Sequence, residues 1–154
     1  MTEQPSSVPP CKACRPHGAL PFAMTMAFQP IVDARARTVF AYEALVRGAG
    51  GEPAEAILSQ VNPDNRYAYD QTCRCTAVAL AARLQMPCFV SINFLPNAVY
   101  QAATCIRATL EAARRHGFPT SRLLFEVTEN EQLVDKEHLK DSIRECRRQG
   151  GKTA

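Results

Sequence analysis

The chain has 154 residues, 46% of them hydrophobic and 21% charged, with 18 basic residues against 15 acidic ones for a formal net charge of +3. That balance suits one globular domain with a proper core and excludes wholesale disorder. No apolar run approaches the roughly 18 residues of a membrane span, and the basic residues lack the aromatic interleaving of a nucleic-acid surface.

Residues 1–21 are rich in Pro and Ser and read as a flexible leader, with residues 22–154 as the folded part. The leader holds Cys11, Cys14 and His17 in a C-x2-C-x2-H spacing. Such a pair can hold half of a tetrahedral zinc site or form a redox couple. No second pair is placed to complete four ligands, so inert thiols, metal or redox sensing and intermolecular contact all stay open. The N-terminus carries no export signal, so the expected compartment is the cytoplasm, where seven cysteines read as thiols. Cys73, Cys88, Cys105 and Cys146 fall on apolar stripes and are expected in the core, while Cys75 points elsewhere.

Phe22 to Val32 reads as a buried strand with Pro30 near its end, and Asp33 to Arg37 as a turn. Thr38 to Val46, β-branched and aromatic at first, is a second strand. After a Gly- and Pro-rich break, Ala54, Ile57, Leu58 and Val61 mark a short amphipathic helix. Tyr69, Cys73, Ala77, Leu80 and Leu84 mark a longer one from about Arg66 to Gln85, ended by Pro87. Cys88 to Phe94 is a third strand. A helix follows with Ala102, Ile106, Leu110 and Ala113 on one face, stopped by Gly117 and Pro119. Leu123 to Val127 is a fourth strand. Asp135 is the expected N-cap of a last helix, whose stripe is Leu139, Ile143 and Cys146 and whose stop is Gly150–Gly151. Lys152 to Ala154 look like the start of another strand. The basic pairs Arg114–Arg115 and Arg147–Arg148 sit where helices should end, which suits the helix dipole.

Strands alternating with amphipathic helices imply an α/β fold with a parallel sheet. An open doubly wound sheet and part of a (β/α) barrel both fit; a whole barrel needs about 250 residues. In either, sites lie at the C-terminal strand ends. The polar residues there are Glu43, Asn93, Glu126 and Glu129, each near apolar neighbours. Three carboxylates and an amide carbonyl on one face would make an oxygen-rich site for Mg²⁺ or Mn²⁺. Equally, each acid could pair with an arginine such as Arg47 or Arg122.

Three segments carry a resemblance. The run from Gln29 to Gly48, with Glu43-Ala44-Leu45 followed by Arg47, is similar to the opening of EAL domains. Ser91 to Pro96 (SINFLP) resembles that family's asparagine-bearing strand, and Phe125 to Glu131 (FEVTENE) its ExTE segment. They occur in family order across residues 22–154. The resemblance implies a partial (β/α) TIM-like barrel of the EAL type, incomplete at the C-terminus. It implies a cyclic di-GMP-specific phosphodiesterase that makes pGpG at a two-metal site, the metals about 4 Å apart. By the same resemblance Glu43, Asn93 and Glu126 would be metal ligands, and Glu129 would steady a neighbouring active-site loop. Arg47 would contact a phosphate of cyclic di-GMP and Gln29 would lie at the ligand's edge.

The family's DDFG motif, and a later lysine and glutamate, are not among the 154 residues. The expectation is therefore a domain portion that does not turn over cyclic di-GMP alone, or a degenerate module that binds ligand or protein partners. A partial barrel is also expected to self-associate through an open edge, with Phe28, Ile92 and Phe125 facing an uncovered interior.

Overall fold

The structure, a computed structural model, describes residues 20–95, 102–127 and 136–154. Strands β1 (Met24–Asp33) and β2 (Thr38–Gly48) form an antiparallel hairpin. Its turn is built by Asp33, whose Oδ1 accepts the backbone N–H groups of Arg35 and Ala36 at 2.8 and 2.9 Å, a local bond that short carboxylates form readily. Helices α1 (Ala54–Leu58) and α2 (Arg66–Arg83) lead to β3 (Phe89–Phe94). Helix α3 (Ala102–His116), β4 (Leu123–Val127), α4 (Lys136–Arg148) and β5 (Lys152–Thr153) complete the order.

The sheet order is β1-β2-β3-β4-β5, and every pair after the hairpin is parallel. Sequential order has no switch point, and one core gathers residues from α2, α3 and α4 against a single face of the sheet. A doubly wound sheet carries helices on both faces. The arrangement is that of part of a (β/α) barrel.

β1 departs from the expectation of a buried strand: all its residues are half-buried or exposed. Among the described residues it pairs only with β2, so it is an edge strand. An edge is where Pro30, which has no N–H to donate, is tolerated.

Successive strand residues point to opposite faces, and this alternation corrects a second expectation. Ala44, Val90, Ile92, Phe94, Leu123 and Phe125 are buried in the core formed with the helices, and Phe28 packs against it. Phe28, Ile92 and Phe125 therefore do not face the barrel interior. Gln29, Asn93 and Glu126, their sequence neighbours, face the other way, and one strand cannot present adjacent residues to the same side.

α3 buries Ile106, Leu110 and Ala113 as its spacing predicts. α2 differs. It buries Tyr69, Cys73 and Ala77, but continues with Val78 and Ala81, while Leu80 is half-buried and Leu84 exposed. Small side chains at 77 and 81 allow close approach to the sheet, where leucines would not fit. The helix ends before Pro87: Gln85 takes φ 52° and the Met86 N–H reaches back to the Ala81 carbonyl at 3.1 Å, a left-handed terminus formed here without glycine. At the end of α4 Gly150 takes φ 87°, where glycine is favoured, and a Cβ on Gly151 would lie a tight 3.0 Å from the Phe125 ring. Cys73 and Cys146 are buried as expected, whereas Cys88, just before β3, is only half-buried. The Cys105 side chain and Asp135 lie outside the described residues.

Candidate metal and ligand site

β2, β3 and β4 run side by side, and their register sets which side chains meet. Glu43 is level with Ser91, and Asn93 with Glu126. Glu43, Ser91, Asn93 and Glu126 therefore share the face away from the helices, towards the C-terminal strand ends. Gln29, the antiparallel partner of Glu43, lies on the same face and is exposed.

Two diagonal hydrogen bonds tie the cluster together. The Asn93 Nδ2 amide donates to Glu43 Oε1 at 3.2 Å, and the Ser91 hydroxyl donates to Glu126 Oε1. Both carboxylates are half-buried, and among the described residues neither forms an ion pair with an arginine. Arg47 donates Nη1–H to the Val46 carbonyl at 2.7 Å. Arg122 donates to the Met86 carbonyl at 3.4 Å, at the opposite end of β4 from Glu126. The alternative in which Arg47 or Arg122 neutralises these acids finds no support in this geometry.

Arg47 and Asn93 also line a cavity of about 360 Å³ that continues over Met26, Leu58, Tyr69 and Leu95. Asp70, which the sequence did not single out, lines it as well. Asp70 and Arg74 are each 2% exposed. Arg74 contacts Asp70 Oδ2 through Nη2 at 2.8 Å and through Nε at 3.0 Å, and donates Nη1–H to Thr109 of α3 at 2.7 Å. Asp70 Oδ1 accepts the Leu95 N–H at 3.3 Å, and the Arg74 guanidinium carbon lies 5.8 Å from the centre of the Phe94 ring. The pair thus holds the end of β3 immediately after Asn93. Opposite charges four residues apart amid apolar positions were the available signal. Ser91 was equally legible, two residues before Asn93 on the same face.

As an oxygen-rich set, two carboxylates and an amide suit a hard divalent cation but supply only part of the six or more ligands such an ion takes. Among the described residues no group of three or more His, Cys, Asp or Glu side chains could hold a metal. Glu129, Cys11, Cys14 and His17 lie outside the described residues. The described thiols are poor ligands where buried: burial pushes Cys73 up to about 12 and Cys146 up to about 11, and raises Cys75 as well. Among the described residues no helix is long and apolar enough to cross a membrane.

A parallel sheet with sequential strand order, helices on one face and acids at the C-terminal strand ends defines a barrel-type α/β domain with its site in the usual place. The family model for the EAL domain matches residues 22–154, and the chain belongs to that family. It is 50% identical to a standalone versatile EAL protein from Vibrio cholerae O395 solved in its c-di-GMP-bound form, with a TM-score of 0.82 over 88% of this chain and 57% of that one. BlrP1 from Klebsiella pneumoniae, solved as a manganese/cyclic-diGMP complex, shares the fold at 24% identity and a TM-score of 0.77, covering 90% of this chain and 36% of that one. The blue light- and temperature-regulated antirepressor BluF of Escherichia coli is 24% identical over 125 residues, 80% of this chain and 31% of that protein. The chain thus spans just over half of the Vibrio protein and about a third of the other two.

Proposed function

We propose that this chain carries one part of a cyclic di-GMP phosphodiesterase site, with Glu43, Asn93 and Glu126 as oxygen donors to Mg²⁺ or Mn²⁺ and with Arg47 and Gln29 contacting the dinucleotide. The observation that supports this most is the tethered acid–amide cluster at the ends of β2, β3 and β4, which no arginine among the described residues neutralises. A bound divalent cation would polarise a phosphoryl oxygen and make water a better nucleophile near neutral pH. The chain's own groups do the positioning. Asn93 directs its amide nitrogen at Glu43, which would leave its carbonyl oxygen available to a bound cation. Arg47 has a planar fork that matches phosphate oxygens, and the apolar cavity beside it can take a flat base. Glu129, in the ExTE segment, would steady an adjoining loop.

A second reading, a module that binds cyclic di-GMP without turnover, is favoured by the donor set among the described residues, two carboxylates and one amide, which is fewer than a divalent cation takes. We take metal-dependent binding as the property that the described residues support most directly. Equilibrium dialysis with cyclic di-GMP and Mn²⁺, followed by chromatography for pGpG, tests both. The expected result is metal-dependent binding, weakened about tenfold or more by Glu43→Ala, with no pGpG. Metal-dependent release of pGpG that Glu43→Ala abolishes would show a complete site in this polypeptide. Binding indifferent to both metal and Glu43→Ala would show that the site lies elsewhere.

A further inference from the structure

Of the fully buried polar residues on the site face, Ser91 is one to which neither the EAL motifs nor the resemblance gives a role. It is 0% exposed, sits in the middle strand between the two acid-bearing strands, and lies level with Glu43 on one side and Leu124 on the other. Packing alone would be served by Ala at such a position. The hydroxyl instead donates to Glu126, a carboxylate whose own register partner is Asn93, two residues further along. Diagonal neighbours of this kind are within reach across adjacent strands, and the bond draws the Glu126 carboxylate back towards the level of Glu43. Asn93 makes the mirror-image diagonal, its amide reaching back to Glu43. Each acid is thus tied to the middle strand by a diagonal bond, Glu126 to Ser91 and Glu43 to Asn93.

We infer that Ser91 is a positioning residue, whose hydroxyl holds the Glu126 carboxylate level with Glu43 so that acids from β2 and β4 can share one divalent cation. This rests on the site proposed above. A hydroxyl that donates to one carboxylate oxygen fixes the carboxylate's rotation and leaves the second oxygen to point at a cation, and removing such a support typically costs 10–100-fold in metal affinity. Ser91 acts through Glu126 and touches neither metal nor ligand in this role.

The test uses Mn²⁺ as probe on the 154-residue polypeptide, reading the paramagnetic broadening of backbone amide signals as metal is added. Glu43→Ala and Glu126→Ala should abolish site-specific broadening around residues 91–93. Ser91→Ala should shift the midpoint to on the order of tenfold higher Mn²⁺ while the amide spectrum without metal stays that of the folded protein. Ser91→Cys, nearly the same size but a weak donor, should behave as Ser91→Ala does. Ser142→Ala removes another fully buried hydroxyl, in α4 and away from the site face; it should lower stability without moving the Mn²⁺ midpoint. Wild-type midpoints in both Ser91 variants, with the two glutamate variants broken, would overturn the role of Ser91 and leave the site standing. A Ser142→Ala shift equal to that of Ser91→Ala would also overturn it, since mere loosening would then explain both. Unchanged broadening in Glu43→Ala and Glu126→Ala would remove the site itself.

Discussion

The two faces of β3 solve opposite problems with six consecutive residues. Val90, Ile92 and Phe94 are no more than 2% exposed and pack against helices, where removal of apolar surface from water stabilises the fold without directional bonds. Ser91 and Asn93, interleaved with them, are held by hydrogen bonds to carboxylates from the strands on either side. The first face fixes where the strand lies; the second fixes how four polar side chains are aimed. Substitutions on the two faces should therefore separate stability from ligand binding.

The largest effect should come from Phe125→Ala, beside Glu126 but on the helix-facing side. Truncating a fully buried Phe costs about 3–5 kcal/mol, to be read as a lower denaturant midpoint. Glu126→Ala, one residue on, should cost about 1 kcal/mol for a half-buried hydrogen-bonded group yet lose metal-dependent cyclic di-GMP binding. If the two variants lose stability alike, the division of labour between the faces is wrong.

Asp70→Asn should destabilise by roughly 3 kcal/mol, since breaking one side of a buried ion pair leaves the other charge uncompensated. The pair joins the two problems, because it sits in the helical layer and holds Leu95 and Phe94 at the end of the site strand. Ligand binding should weaken as well, and Asp70→Asn with normal affinity would limit the pair to a role in the core.

The smallest effect is chemical. Burial raises the Cys73 thiol from its ordinary 9.0 to about 12, so it stays protonated in the folded chain across the neutral range. The neutral thiol's contribution to stability is therefore present below pH 9 and is lost as pH rises towards 12. Native labelling with iodoacetamide at pH 8, mapped by mass spectrometry, should modify half-buried Cys88 well before Cys73 or Cys146. Early labelling of Cys73 would mean that the cluster around Tyr69 and Val46 opens readily.

Much of this was legible in the sequence because the signals were periodic or motif-borne. Ile106, Leu110 and Ala113 repeat at helical spacing, and Glu43, Asn93 and Glu126 stand at strand ends within three recognisable segments. The failures share a cause, which is that burial depends on partners the sequence does not display. Leu80 and Leu84 look like a helix stripe, but the tight seam of α2 selected Val78 and Ala81. Asp70 and Arg74 look solvated until each is seen to be the other's partner. β1 reads as buried by composition, yet it lies at an edge. The facing of Phe28, Ile92 and Phe125 needed no structure at all: once Gln29, Asn93 and Glu126 are assigned to the site, strand alternation sends their neighbours to the helices.

The central claim is that Glu43, Asn93 and Glu126 converge on one cation, and anomalous scattering locates a cation without reference to activity. Crystals of the 154-residue polypeptide grown with Mn²⁺ and cyclic di-GMP, measured at the manganese edge, should give a peak within coordination distance of about 2.0–2.6 Å of oxygens from all three residues. A manganese peak elsewhere, or cyclic di-GMP bound with no peak between β2 and β4, would contradict it.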